Sequence, residues 1–391
     1  MKSFRQISIP ASVAILTHIY AYGPPHKLLN YMLQKEVAKI HFIGNPFSFA
    51  KDTRSYYKFY KNSKLVKESY SLRFKAPDMI IYLRDFLYFL FWGLIMDKVE
   101  ILICFDGFST FAGNMLKKLG KAQYLVFYTI DYAPIRFKNS LLNRIYLWLD
   151  NFALRKADAI WNLSGEMSRM RVKSGLDSKY LRKQIIVPIG VEEIFSPKKL
   201  TRESRFKIAF IGHLKRKQGL EKLIGVMPKV IEKLPNASLI IVGGGILENK
   251  LKLLAKRINL GERIIFTGYL EDYKNVLDIL RNCAVGVAPY KDDKETYTRF
   301  ADPTKPKDYL ACGLPVVITK VPAIYKYIEE KECGIAINDS RKELVDAIVY
   351  LLKNKKRLDF YKNNAYKAIK KFENEKVYDK AFQKSIKLFI S

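Results

Sequence analysis

Twice along the chain, short apolar runs alternate with loops and with stretches of helical spacing. This alternation limits the fold more than any other feature. In the first block the apolar run Val13 to Tyr20 ends at the turn Gly23-Pro24-Pro25. A helical stretch from His26 to Gln34 and a strand from Ala38 to Ile43 follow, which is the βαβ signature. Further strands are expected at 99–105, 124–128, 158–163 and 184–187, with helices at 79–96, 109–119, 140–156 and 165–174. Residues 50–75 are basic and tyrosine-rich and show no clear period. A second series begins at Phe206, with strands at 207–211, 237–242, 263–266, 284–288, 316–318 and 334–337. Helices at 220–233, 247–258, 273–281, 323–330, 341–353 and 357–371 separate or close them. Two such blocks predict an α/β protein of two doubly wound domains.

Length supports the division, because 391 residues exceed what one core usually serves. Phe195 to Ser204 is polar, charged and proline-containing, so it is the expected linker between domains 1–198 and 199–374. Hydrophobic content of 49% and aromatic content of 13% exclude a disordered chain. Cys104, Cys283, Cys312 and Cys333 have no CxxC spacing and make neither a disulfide framework nor a zinc site. Met1 to Pro10 is charged and lacks the apolar core of a secretory signal, so a cytoplasmic protein is expected. The formal net charge of +31 points to an anionic partner or to a lysine-rich compositional bias. No motif that reads RNA or DNA is present, so nucleic acid is not the expected partner. Phe86 to Met96 is the most apolar segment, bounded by Asp85 and Asp97. It is shorter than the ~20 residues a spanning helix needs, which leaves a buried helix or a membrane-surface helix.

Ligands of open α/β sheets sit at the carboxyl ends of strands. The loops to examine are therefore Gly23–His26, Asp131–Pro134, Pro188–Val191, Gly212–Gly219, Gly243–Gly245 and Thr304–Asp308. The last three are rich in glycine or lysine. Lys215, Arg216, Lys217 and Lys305 could balance a nucleoside diphosphate there, and glycines would let backbone approach its phosphates. In the stretch Asp302 to Ile318, two prolines should keep the first residues extended before a short helix from Lys307 to Cys312, stopped by Gly313. Such a stretch is either an anion site, with Lys305 and Lys307 adding charge to a helix N-terminus, or a packing unit with solvated lysines. No GxxxxGK[ST], HExxH, GxSxG or DxD pattern occurs, so no metal site is expected. His18 and His26 flank the first loop and are candidates to contact an acceptor or a phosphate. His41 lies in a strand and reads as a core histidine. Asp131 could accept a proton, bind a hydroxyl, or cap the next turn.

Five blocks of the second half occur in a characteristic order: Gly212-His-Leu-Lys-Arg-Lys-Gln-Gly219, Ile240-Ile-Val-Gly-Gly-Gly245, Phe266-Thr-Gly-Tyr269, Val287-Ala-Pro-Tyr290 and Pro303-Thr-Lys-Pro-Lys-Asp-Tyr-Leu-Ala-Cys-Gly-Leu-Pro-Val-Val317. Together they resemble the retaining glycosyltransferases of the GT-B fold, the family-4 or group 1 type. Asp158 to Ser164, Val187-Pro-Ile-Gly-Val-Glu192 and Phe195-Ser-Pro197 extend the resemblance into the first half, while residues 1–125 match only in pattern. The resemblance implies two Rossmann-like domains facing a cleft, with a final helix at about 375–391 crossing back to the first. It implies a hexosyltransferase that moves a sugar from a nucleotide-sugar donor to a glycan or lipid-linked acceptor with retention, and that needs no metal or other cofactor.

In that reading Gly212, His213, Arg216, Lys217, Gly244, Tyr269, Thr304, Lys305 and Asp308 would bind the donor. Gly23, His18 and His26 would bind the acceptor, and Lys305, Asp131 and His26 would serve catalysis. A basic, aromatic first domain would suit the cytoplasmic face of an anionic membrane. The chain departs from the family at His213 and Gln218, where an arginine and a lysine are usual, and at Phe300, where a glutamate is usual. For Phe300, Asp302 or Glu295 would have to substitute. These departures leave a non-catalytic sugar-nucleotide binder as an alternative. A sugar-nucleotide epimerase of the same fold is another.

Overall fold

The computed structural model describes residues 9–19, 22–47, 50, 52–73, 76–292 and 297–390. The chain divides into one unit of residues 1–188 and 374–391 and a second of residues 189–373.

In the first unit, Val13 to Leu16 have no exposed surface, as expected of a strand covered on both faces. This strand, β1 (Ser12–Ile19), leads to α1 (Pro24–Gln34) and β2 (Lys39–Pro46), then β3 (Tyr56–Lys61) and β4 (Lys64–Tyr70). Next come α2 (Asp78–Ile95), β5 (Val99–Cys104), α3 (Gly107–Lys118), β6 (Ala122–Thr129), α4 (Ser140–Lys156), β7 (Ala159–Asn162), α5 (Gly165–Lys173) and β8 (Gln184–Ile186). The strand order is β4-β3-β2-β1-β5-β6-β7-β8. The β2–β3 and β3–β4 pairings are antiparallel and the others parallel. The tyrosine-rich stretch without a clear period is thus a hairpin on the sheet edge. Asn62 and Ser63 turn it in left-handed conformation, and the Tyr57 ring stacks 4.1 Å from Trp92.

The second unit contains β9 (Lys207–Ile211), α6 (Leu220–Lys233), β10 (Ser238–Val242), α7 (Glu248–Arg257), β11 (Ile264–Gly268), α8 (Tyr273–Arg281) and β12 (Val285–Ala288). They are followed by α9 (Thr304–Ala311), β13 (Val316–Thr319), α10 (Ile324–Glu330), β14 (Gly334–Ile337), α11 (Arg341–Lys353) and α12 (Lys355–Ile369). Its sheet is parallel throughout, in the order β11-β10-β9-β12-β13-β14. Apolar clusters cover both faces, one built on Phe210 and Leu239, the other on Tyr309 and Val316. The last helix, α13 (Asn374–Ile390), groups with the first unit. There the Tyr31 hydroxyl donates to Asp379 (2.6 Å) and Trp161 Nε1 donates to Ser385 Oγ (2.8 Å).

Two local expectations change. The stretch 195–204 is not a free linker, and the division falls between Pro188 and Ile189 rather than at 198/199. Its composition is polar, but the Phe195 N–H donates to Ala311 O (2.8 Å), Lys362 Nζ donates to Lys198 O (3.0 Å), and Leu200 packs on the core. Helix α9 starts at Thr304, three residues before the expected Lys307. Only Pro303 is extended, at the N-cap. Pro306 falls in the first turn, where a missing N–H sacrifices no helical bond.

Candidate functional site

In the second sheet the strand order reverses direction between β9 and β12, so the crevice at their carboxyl ends is where a ligand belongs. Tyr309 of α9 crosses that point. Its hydroxyl accepts from the Ile211 N–H (2.9 Å) and donates to Val287 O (3.2 Å), tying the ends of β9 and β12 to one helix. Gly286 makes room, since a Cβ there would lie 2.2 Å from the Tyr309 ring.

Lys305 stands one helical turn before Tyr309 on the same face of α9. Only 6% of it is exposed. Its Nζ sits 3.7 Å from the Phe210 ring centroid and 5.0 Å from that of Tyr290, and donates to Gln218 Oε1 (2.5 Å). Among the described residues no carboxylate forms an ion pair with it, and burial drives its pKa well below the usual lysine value. Gln218, one of the departures from the resembled pattern, is therefore the neutral partner of the central cation. Gly212 borders the same ammonium, with the position of an added Cβ 3.3 Å from Lys305 Cε.

Lys307 is different, and the expectation that it offers charge to an anion fails. Its side chain is wholly buried, ion-paired with Asp302, and donates to Ile189 O (2.7 Å). The Ile189 N–H donates to the same carboxylate (2.7 Å). Asp302 is thereby spent on structure and is not the substitute carboxylate for Phe300. Glu295 lies outside the described residues.

The glycine loops interlock. Gly243 has φ +132°, and a Cβ on it would fall 2.2 Å from Gly212 O; at Gly219, φ +73°, it would fall 1.8 Å from Pro289 O. The protein's own backbone therefore demands these two glycines, whatever approaches the loops from outside. The Leu214 N–H donates to Gly244 O (3.0 Å), and Tyr269 stands exposed beside Gly244. His213, Lys215 and Arg216 are exposed on the loop, and Lys217 is half-buried. Partial burial, then Lys215, Lys217 and Lys305, lower the His213 pKa. Thr304 is exposed at the first position of α9. Asp308 is buried and takes the Tyr273 hydroxyl, whose pKa is raised by burial first and by Asp308 next. Of the expected donor residues, Gly212 borders Lys305, Thr304 precedes it at the start of α9, and His213 is near enough to feel its charge.

The first sheet has its own reversal, between β1 and β5. His18 of β1 lies there with its side chain buried. Its Nδ1 is 3.0 Å from Asp106 Oδ2, just after β5, and its Nε2 is 3.4 Å from Asp85 Oδ2 of α2. Asp106 also caps α3, its Oδ1 accepting from the Ser109 N–H (2.7 Å), and Asp85 accepts from Arg84 (2.7 Å). Phe47, Phe89 and Phe108 surround the imidazole. Burial opposes the charge, but Asp106 and then Asp85 outweigh it and raise the pKa to about 9. Both ring nitrogens face carboxylates, so the expected contact of His18 with an acceptor gives way to an internal ion cluster.

The remaining first-unit candidates are also engaged locally. The Gly23 N–H donates to His26 Nδ1 (3.3 Å) at the entry to α1, and Tyr22 stacks on the His26 ring (5.2 Å). Asp131 pairs with Arg136 (2.5 Å) instead of capping a turn. His41 is buried with its Nδ1 2.8 Å from the Tyr57 hydroxyl, as a core histidine should be.

Sequence reasoning passed over Asp85, Asp106, Phe210 and Arg171. Arg171 is buried, grips Asp150 with two bonds (2.9 and 2.7 Å), donates to Asn162 and Thr129, and lies 4.5 Å from the Tyr132 ring centroid. It orders the loop after β6, yet in sequence it is one more basic residue on a polar helix. Asp106 was readable as an N-cap from Ser109 three positions on, but its second partner is 88 residues away.

Residues 191–368 match the family of glycosyl transferases group 1. An uncharacterized glycosyltransferase of Methanocaldococcus jannaschii is 28% identical over 128 residues, 33% of this chain and 30% of that protein. The match thus spans about a third of the relative's length. Sucrose-phosphate synthase from Thermosynechococcus elongatus is similar in structure with a TM-score of 0.69 at 15% identity, covering 97% of this chain and 99% of that one. HepE of Anabaena, solved in complex with UDP, gives 0.65 at 14% identity over 95% and 98%. Likeness along nearly the whole chain, with two Rossmann-like sheets, gives this protein the GT-B fold.

Proposed function

We propose that the chain is a group 1 glycosyltransferase that moves a hexose from a nucleotide-sugar donor to a glycan or lipid-linked acceptor with retention at the anomeric carbon. The observation that carries the reading is Lys305, a buried cation at a switch point with aromatic faces and an amide around it and, among the described residues, no carboxylate pairing it. Holding such a charge costs several kcal/mol in a finished fold. A donor diphosphate would supply the missing anion. Its oxygens would meet Lys305, the Thr304 end of α9 and the basic loop of His213, Arg216 and Lys217. The match over residues 191–368 and the UDP bound by HepE support this assignment.

Catalysis would be mainly electrostatic. As the bond from the anomeric carbon to the phosphate oxygen breaks, negative charge grows on the diphosphate, and Lys305 and the helix end stabilise it. The acceptor oxygen forms the new bond, and its proton passes to the departing phosphate oxygen. No metal enters this reading, because cations of the chain meet the charge. Gly23 and His26 remain the proposed contacts to the acceptor, and Asp131 and His26 remain proposed to serve catalysis beside Lys305.

A panel of nucleotide sugars tests the reading by thermal shift and by release of nucleoside diphosphate, with and without EDTA. One donor series should raise the melting temperature of wild type and not of Lys305→Met. Equal shifts in both proteins, or conversion of donor to an isomeric sugar nucleotide without acceptor, would overturn it.

A further inference from the structure

Helix α2 carries its polarity inside out. Its buried carboxylate, Asp85, faces His18, and Ile81, Phe89, Trp92 and Gly93 are buried with it. The opposite face is apolar along its length. Ile80, Leu83, Leu87, Phe91, Leu94 and Ile95 follow at helical spacing, each between 46% and 59% exposed. A surface helix ordinarily turns its polar face outward, and a continuous exposed apolar stripe marks an interaction surface. α3 bridges α2 to a second such stripe, through Phe86 against Phe111 and Phe111 against Trp148. On α4, Leu141, Ile145 and Trp148 are exposed.

Cations stand at both ends of the helix. Lys121 donates to the carbonyl of Met96 at the end of α2. Arg73 and Lys98 are exposed just before and after the helix. Asp97, the acid next to Lys98, is neutralised by Lys39 (2.6 Å). No helix among the described residues is long and apolar enough to cross a membrane.

We propose that α2, with the exposed stripe of α4, docks the chain on the surface of an anionic lipid bilayer. The apolar side chains enter the boundary between headgroups and acyl chains, and the flanking lysines and arginines meet lipid phosphates. Charge selects this occupant over a second copy of the chain. Two copies would bring like cations face to face in a protein of net charge +31, whereas an anionic bilayer is complementary to both the stripe and its rim. Docking goes beyond sugar transfer and needs no donor, so the two readings fail separately.

The test is cosedimentation of the full chain with phosphatidylcholine vesicles, with and without phosphatidylglycerol, at low and high salt. Wild type should bind the phosphatidylglycerol vesicles at low salt and bind pure phosphatidylcholine about tenfold more weakly. Leu83→Ser combined with Leu87→Ser should lose binding about tenfold with an unchanged melting curve. Absence of binding to phosphatidylglycerol vesicles at low salt overturns the proposal. So does wild-type binding by the double variant, or a lipid-free dimer that the double variant dissolves. Should the double variant melt early, Leu87→Cys carrying an environment-sensitive dye replaces it, since the four native cysteines are buried. A blue shift on adding phosphatidylglycerol vesicles supports docking, and an unmoved spectrum overturns it.

Discussion

Each sheet buries a cation at its point of strand reversal, and the two cations are treated in opposite ways. His18 has a carboxylate on either side. Lys305 has two aromatic faces and one amide oxygen. Two positions along the same helix, Lys307 is paired with Asp302, so α9 is able to neutralise a lysine and does so where the charge only joins backbone segments. A buried charge balanced inside the fold is a structural part. A buried charge left unbalanced at a strand-end crevice is a place for an anion from outside. The contrast yields tests that differ in sign as well as size.

The largest expected effect is on stability in the first unit. His18→Leu removes the cation between Asp85 and Asp106 and leaves two carboxylates facing a methyl group. The loss should be about 3 kcal/mol, the low end for breaking a buried pair, because Asp106 is partly open to solvent and Asp85 keeps Arg84. Urea unfolding measures it. A loss under about 1 kcal/mol would mean that the cluster is not what settles that crevice.

Lys305→Met should do the reverse. Its melting temperature without ligand should hold or rise, since an unpaired buried charge has gone. Its affinity for a nucleoside diphosphate should fall about 100-fold by calorimetry. A variant that is less stable yet binds as tightly would make Lys305 a second structural cation and erase the contrast. Gln218→Leu is a finer probe. It strips the ammonium of its hydrogen-bonded partner and should cost about 1–2 kcal/mol of stability, with only a few-fold change in affinity.

The helices and parallel strands were legible because each writes its own period into a continuous stretch, as Leu220 to Lys233 does for α6. The hairpin at residues 56–70 was not, because tyrosines and lysines on a sheet edge blur the alternation of inside and outside. Lys305 was legible as a candidate cation from its place before Tyr309, but its isolation was not, since Phe210, Tyr290 and Gln218 arrive from other elements. Lys307 reads as an equivalent charge in sequence, and its pairing with Asp302 and with the distant Ile189 carbonyl separates the two. The His18 cluster joins β1, α2 and the loop after β5, and no local pattern announces such a meeting. Periodicity reports burial. It does not report who pairs with whom.

The smallest effect per step, and the one that divides the two cations by sign, is the response to pH. The His18 pKa of about 9 in the folded protein lies above its ordinary value of 6.5. Its contribution is therefore fully present below pH 6.5 and lost as pH rises through about 9, at a slope of at most about 1.4 kcal/mol per pH unit. Lys305 is held below its ordinary 10.5, so between its lowered value and 10.5 the unfolded chain binds the extra proton and stability rises with pH. Unfolding free energies measured from pH 6 to about 10 should fall less steeply in His18→Asn than in wild type, and more steeply in Lys305→Met. If both substitutions moved the pH slope in one direction, the two buried cations would be doing one job.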